Sequence, residues 1–484
     1  MGANPIENLV NSNPAVATTV AELQSTLALQ RKAYLNHPVP TFAERKADLL
    51  TLQRFIRENK EEIIAAISKD YGNRSHHESL FAEIIGAITA VDHAISNLKS
   101  WMKPQKRHVD MTTYFGAKNR VIPQPIGVVG VIVPWNFPIN LSIVPMVCIF
   151  AAGNRAMVKM SENSRNLAAF LIAKMPAYFP KDKLAFFDET GGVGIEFSKL
   201  PFDHILFTGS GATGRAVMTA AAQNLCPVTL ELGGKSPAVI CDDFPLRKAA
   251  ERALFVKCFN AGQICTNVDY LFLPEDKIAE FVEMAKEIVV TRYPQISTTD
   301  YTSIIDDRSF QRLTSALEQA EAQGATLVQL VPGPKWDAAT RKIAPHLVLN
   351  LPESSDLATR EIFGPILPVR GYKKLEETID YINARPRPLA FYPFSNDSER
   401  VQMLIDRVMS GGVSVNDALF HVAQHDLPFG GVGPSGMGHY HGREGFITFS
   451  KLRPVYHQPS FSFAKFLAPP YGKFATNLMN YLAK

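Results

Sequence analysis

In this chain of 484 residues the strongest chemical signal is a thiol and a carboxylate. Cys265 lies in Asn-Ala-Gly-Gln-Ile-Cys265-Thr, just beyond Gly262, and Glu231 lies in Val-Thr-Leu-Glu231-Leu-Gly-Gly-Lys-Ser-Pro. A thiol beside a flexible turn is a candidate nucleophile, and a carboxylate opening a Gly-Gly turn is a candidate base. Together they suit a reaction that forms a thioester and then hydrolyses it. Neither suffices alone, because free cysteine is among the most buried residue types and five cysteines in a long chain can all be core.

Four further segments add weight. Phe-Thr208-Gly209-Ser210-Gly-Ala-Thr-Gly214 follows an apolar run and opens a helical one. Backbone N–H groups at a helix start stabilise anions, and a pyrophosphate is the natural guest; a tight strand-to-helix turn reads equally well. The last glycine spacing is one residue shorter than G-x-G-x-x-G. Val-Lys159-Met-Ser-Glu162 ends the preceding strand, where both side chains can reach ribose hydroxyls or form a solvated ion pair. A carboxylate at Glu162 repels a 2′-phosphate, which favours NAD over NADP. Asn136, in Pro-Trp135-Asn136-Phe-Pro, can donate to a developing oxyanion or satisfy its own turn. In Glu361-Ile-Phe363-Gly-Pro, Glu361 can meet a ribose and Phe363 can lie beside a nicotinamide; alone, the segment is a loop end. Ser435 lacks a nucleophile-elbow context, and no serine triad is supported.

These groups need a frame. At 46% hydrophobic and 20% charged, the chain is an ordinary globular protein of two or three domains. A net charge of +4 without a basic block gives no case for nucleic acid. Five cysteines without CxxC spacing suggest neither a disulfide framework nor a metal site, and fit a reducing compartment such as the cytoplasm. The first residues lack a secretory pattern. No charge occurs between Arg120 and Arg155, but Pro123, Pro125, Pro134, Pro138 and Pro145 break that stretch, so no membrane span is expected there.

Residues 14–110 read as helical, with Asn59 dividing two helices and Gly72 ending the second. Residues 112–123 read as a hairpin. Strands at 128–133, 156–159, 185–189 and 204–208 then alternate with helices at 143–152, 168–178 and 212–223, which predicts a parallel sheet covered on both faces. A second alternation places strands at 238–241, 270–274, 326–330, 367–370 and 412–415, with helices at 247–259, 278–291 and 307–323. After Pro469-Pro470, residues Phe474, Leu478, Tyr481 and Leu482 share a helical face. That face reads as one docked on the body or on a partner subunit, or as a cover for a substrate entrance.

Taken jointly and in this order, the motifs resemble the aldehyde dehydrogenase superfamily over essentially the full length. The matching segments are Pro-Trp-Asn136-Phe-Pro, Lys159-x-Ser-Glu162, Phe-Thr-Gly209-Ser, Glu231-Leu-Gly-Gly-Lys, Gly-Gln-x-Cys265, Glu361-Ile-Phe-Gly-Pro and Pro-Phe-Gly-Gly-Val-Gly. Gly436-Met-Gly-His-Tyr-His-Gly442 is similar to the class 3 branch, and Pro201-Phe-Asp-His-Ile-Leu-Phe-Thr-Gly to its bacterial coniferyl aldehyde dehydrogenases. The resemblance implies an α/β aldehyde dehydrogenase-like fold. A Rossmann-type NAD-binding domain (1–111 and 124–231) joins a catalytic domain (232–430) and a small β oligomerisation element with the tail (112–123 and 431–484). It implies Cys265, Glu231 and Asn136 as catalytic. It implies Trp135, Lys159, Glu162, Thr208, Gly209, Ser210, Gly214, Glu361 and Phe363 as binding NAD, with NADP possible, and no metal. It implies oxidation of a small-molecule aldehyde to its acid, of coniferyl type, by a homodimer. A long-chain aliphatic substrate, acyl transfer to CoA, and a non-catalytic binding protein on the same fold are the alternatives; Glu231 favours hydrolysis over CoA. Two positions depart from the family pattern: Met160 replaces the usual Pro, and Arg360 stands where a second acid is usual.

Overall fold

The computed structural model describes residues 18–111, 114–462 and 468–483. Its N-terminal part is a helical layer comprising Val20–Asn36, Phe42–Glu58, Lys60–Tyr71 and Gly86–Trp101. Thr41 and Glu44 close a reciprocal capping box at the start of the second helix. Asn59 divides the second from the third, and Gly72, at φ 80°, ends the third, as the sequence predicts. Leu49, Leu52, Phe55 and Ile56 form the buried stripe.

The layer packs on a six-stranded sheet ordered Gly436–Met437, Val228–Leu232, His204–Gly209, Val128–Ile132, Arg155–Lys159, Leu184–Phe187. All its pairs are parallel except Gly436–Met437 against Val228–Leu232. Val128–Ile132 is buried along its whole length, as a strand covered on both faces must be. The chain steps from it to Arg155–Lys159 on one side and later to His204–Gly209 on the other. The order therefore reverses beside Val128–Ile132, and a crevice opens at the carboxyl ends of these strands.

A second sheet of seven strands runs Thr326–Gln329, His346–Leu349, Ile366–Tyr372, Tyr270–Pro274, Pro237–Ile240, Ala390–Phe394, Gly412–Val413. Its buried strands and the helices Leu246–Cys258, Ile278–Arg292 and Asp307–Ala322 make a separate core around Leu271, Phe281, Leu313 and Phe394.

Two sequence expectations change. The hairpin placed at 112–123 is built differently: the long strand is Lys118–Pro125, and its partner Gln105–Arg107 lies upstream, while residues 112 and 113 fall outside the described set. Lys106 and Arg107 are exposed, so this edge strand carries no hydrophobic alternation to read. Ser450–His457 pairs on the other side of Lys118–Pro125 and completes a three-stranded arm. The last strand placed at 412–415 shortens to Gly412–Val413. Strands Val228–Leu232, His346–Leu349 and Ala390–Phe394 were not expected at all. The uncharged stretch before Arg155 is a strand, a turn and the buried helix Asn140–Ala151. Among the described residues one helical run, His76–Trp101, has the length and composition to cross a membrane; its Ala87, Val91 and Leu98 belong to the core. The tail forms a helix, Lys473–Leu482, with Ala475 buried and Tyr481 and Leu482 exposed.

Candidate active site

The helix Leu246–Cys258 ends in a left-handed turn: Asn260, Ala261 and Gly262 have φ of 51°, 49° and 74°. For the two residues with side chains this conformation is strained, and the surroundings must hold it. They do so with buried polar groups. The Asn260 N–H donates to Glu78 Oε1 at 3.0 Å, and Glu78 Oε2 accepts from Thr302 Oγ1 at 2.6 Å. Gln263 Nε2 donates to the Asn260 and Ser303 carbonyls, and Asn267 Nδ2 to the Gly262 carbonyl at 2.6 Å. A Cβ on Gly262 would lie 2.3 Å from the Gly364 carbonyl oxygen, so the 361–365 loop closes directly on this turn.

Cys265 follows from this turn. It is half-buried and opens on a cavity of about 200 Å³ lined by Phe81, Phe137, Phe259, Phe420, Phe429 and Tyr440 among others. Its thiol is pushed up to about 12, first by burial, then by the carboxylates of Glu361 and Glu231. The backbone N–H groups of Thr266 and of Cys265 itself act the other way. Two amides thus face the sulfur, where negative charge would develop.

Glu231 ends the strand beside the crevice, paired in register with Thr208 on one side and Gly436 on the other. Both its carboxyl oxygens are buried with no hydrogen-bond partner among the described residues, and burial raises it well above the ordinary carboxylate range. Glu361 reaches the same region from the other sheet. Its carboxyl group rests where a Cβ on Gly233 would sit, and it is pushed up to about 8 by burial, then by Asp269. Its Oε1 is buried without a partner.

Asn136 does not satisfy its own turn. Its Nδ2 crosses to the Gln263 carbonyl at 3.3 Å, two residues before Cys265, leaving a second amide hydrogen for another acceptor. Its carbonyl is held by Arg74 Nη1 at 2.9 Å and by Tyr71 Oη at 3.2 Å. Arg74 is fully buried and also bonds Glu83 Oε1 at 2.9 Å. Glu83 Oε2 in turn accepts the Ile139 and Asn140 N–H groups at the start of the following helix. Glu83 sits in a π-helical turn, Leu80–Ile85, of the kind that often marks functional sites. Nothing in the periodicity of 76–101 reveals Glu78 or Glu83, whose only sequence signal is charge on an otherwise apolar helical face, and Arg74 lies in the loop before it.

The remaining predicted residues line the same crevice edge. Trp135 meets Phe363 edge-on at 5.5 Å and Tyr71 at 6.0 Å. Lys159 lies opposite Ile132 and forms an ion pair with Glu189, not with Glu162. Glu189 was missed; its signal is an acid placed directly after the strand Leu184–Phe187. Glu162 accepts from Ser161 Oγ at 3.1 Å. Thr208 is buried, and Ser210 caps the helix Gly211–Ala222 through the Thr213 N–H. A Cβ on Gly214 would fall 2.7 Å from Leu232, and one on Gly209 2.7 Å from the Phe207 ring. Both glycines let the helix start sit tightly on the sheet while the 210–213 turn stays open. That cradle, the strand-order reversal and the unpartnered Glu361 oxygen fit a dinucleotide. No cluster suited to a metal ion occurs among the described residues.

The model of the aldehyde dehydrogenase family matches residues 4–455. A probable coniferyl aldehyde dehydrogenase of Pseudomonas aeruginosa is 46% identical over 94% of this chain and 94% of its own length. A coniferyl aldehyde dehydrogenase of a Pseudomonas species is 42% identical over 95% of this chain and 96% of its own. The solved substrate-bound AldH of Staphylococcus aureus superposes with a TM-score of 0.89 at 31% identity, covering 96% of this chain and 99% of that one.

Proposed function

We propose that this chain, which belongs to the aldehyde dehydrogenase family, oxidises a coniferyl-type aromatic aldehyde to its carboxylic acid through a thioester on Cys265. It is an NAD(P)-dependent, aldehyde-oxidising enzyme. The observation that supports the mechanism is Cys265 opening on an aromatic-walled cavity, with Glu231 near enough to push its thiol up and the Asn136 amide bonded to the Gln263 carbonyl two residues before it.

The Cys265 thiol gives its proton to a base and its sulfur adds to the aldehyde carbon. The oxygen of the resulting thiohemiacetal takes the negative charge, and the Asn136 amide and the Cys265 N–H receive it; one such donor is worth roughly 3–4 kcal/mol. Lys159, Glu162, the 208–214 turn, Trp135, Glu361 and Phe363 would hold NAD(P), which when bound would supply the acceptor for the hydride that leaves this carbon. A thioester remains on Cys265. Glu231, a stronger base than an ordinary carboxylate because it is buried, takes a proton from water. The hydroxide adds to the thioester carbon, the carbon–sulfur bond breaks, and the acid departs.

The substrate class follows from the cavity wall. Six aromatic side chains suit a flat aryl ring, and two relatives bear coniferyl names. NAD is favoured over NADP by the Glu162 carboxylate at the ribose end. The module boundaries read from the sequence belong to this proposal, with Gly436–Met437 crossing them into the first sheet. The exposed strand Ser450–His457 supports the arm as a homodimer contact. The five free thiols suit the cytoplasm. The test is kcat/KM for coniferaldehyde, benzaldehyde and a long aliphatic aldehyde, each with NAD and with NADP, and with CoA added to detect acyl-CoA. Coniferaldehyde with NAD should lead; a clear aliphatic lead, or acyl-CoA as the main product, would overturn the reading.

A further inference from the structure

The cavity above Cys265 is apolar apart from a few side chains, and two of these are hydrogen-bonded among the described residues. Asn140 Nδ2 donates to the Ala82 carbonyl at 2.9 Å. Thr89 Oγ1 meets the Ile85 carbonyl at 2.9 Å and His425 Nε2 at 2.8 Å. His441 differs. It is 4% exposed, it lines the cavity, and both its ring nitrogens are buried without a partner among the described residues.

Three features hold this ring in place. Phe429 stacks on it at 5.4 Å with planes 23° apart, and Tyr440 meets it edge-on at 4.7 Å. Its backbone has φ 91°, a conformation that residues with a Cβ rarely adopt. That backbone is fixed because the His441 carbonyl accepts the Gly445 N–H at 2.8 Å and its N–H faces the Cys148 sulfur. Burial, then His425 and His421, push the imidazole down to about 3, so it is neutral at any working pH. A neutral imidazole offers one N–H donor and one acceptor nitrogen. Leaving both unpaired in an apolar wall is unfavourable, and a bound polar group satisfies one of them. Strained backbone and a locked, unpartnered polar ring are features of a ligand site.

We propose that His441 is the specificity-determining residue that hydrogen-bonds a polar ring substituent, a phenol hydroxyl or an ether oxygen, of the aryl aldehyde held in this cavity. The inference rests on the aromatic-substrate reading above and adds which aryl aldehydes are preferred. A flat ring fits the aromatic wall, and its polar edge meets the unpaired imidazole.

The experiment measures kcat/KM for coniferaldehyde and for cinnamaldehyde, which lacks the ring hydroxyl and methoxy groups, in wild type, His441→Phe and His441→Asn. The ratio between the two substrates is read within each preparation, so a loss of folded protein cancels. Wild type should favour coniferaldehyde about 10-fold, the phenylalanine variant should bring the ratio near one, and the asparagine variant, which keeps a donor and an acceptor, should retain part of it. An unchanged ratio in His441→Phe, or a wild type that does not distinguish the two, overturns the assignment while leaving aryl oxidation standing. An aliphatic aldehyde that outcompetes both aryl substrates in wild type removes the underlying reading as well.

Discussion

Glu361 should destabilise the protein more as pH rises, and the size of the effect follows from its surroundings. Its carboxyl is pushed from the ordinary 4.5 to about 8, first by burial and then by Asp269, against the Gly234 N–H, Lys235 and Arg312. In the unfolded chain the group ionises near 4.5. In the fold it stays protonated until about 8, so between these values the folded state binds the extra proton and stability falls as pH rises. Each pH interval is worth 1.36 kcal/mol. The contribution is under ~1 kcal/mol at pH 5, about 3 kcal/mol at pH 7, and levels near ~5 kcal/mol above pH 8. Glu361→Gln cannot ionise and keeps an acceptor for the Gly234 N–H. The variant should therefore be more stable than wild type, by a margin that grows from pH 5 to pH 8. Guanidinium unfolding of both proteins at pH 5, 7 and 8.5, with parallel slopes, reads this margin. The same variant should raise KM for NAD, because the carboxylate is assigned to the cofactor. A margin independent of pH, or a variant less stable than wild type at pH 8.5, would refute the reasoning.

Glu231→Gln should release about one equivalent of NADH per active site in a rapid-mixing burst and then turn over roughly 10²–10⁴-fold more slowly. Turnover at the wild-type rate would assign the water-activating base elsewhere. In wild type the hydrolytic step should speed up as pH rises, because burial holds Glu231 protonated at low pH, and this rise should vanish in the glutamine variant. Arg74→Met strands the Glu83 charge in the core and should cost about 3–5 kcal/mol of stability, visible as a lowered thermal midpoint. Pairing it with Glu83→Gln should recover part of that loss, and strict additivity of the two would show that the ion pair is not what holds this turn.

The alternation of strands and helices after residue 128 was legible because parallel strands are buried on both faces and read as short apolar runs. Tyr270–Pro274 was predicted to the residue. Val228–Leu232 was hidden because Thr229 and Glu231, on either side of its central Leu230, are polar yet buried. Ala390–Phe394 was hidden by Pro393, which is tolerated because its missing donor faces the side where the short edge strand Gly412–Val413 has already ended, the same side on which its carbonyl accepts the Asn416 N–H. Motif order gave the reacting side chains. What it could not give is the support beneath them. Glu78, Arg74 and Glu83 act through backbone atoms of segments more than fifty residues away, and contacts of that kind leave no local pattern.

The same point explains where the fold leaves polar groups unpaired. Buried polar atoms are almost always hydrogen-bonded, so exceptions mark either strain or a missing partner. Here many of them surround one turn: both oxygens of Glu231, Oε1 of Glu361, Oδ1 of Asn260 and of Asn267, Nε and Nη2 of Arg74, and both nitrogens of His441. Three consecutive left-handed residues lie among them. Burial makes Glu231, Glu361 and Cys265 weaker acids, and the two carboxylates weaken the thiol further, so the free site resists ionisation and keeps its sulfur protonated. A cationic cofactor ring beside Glu361 would reverse part of that shift.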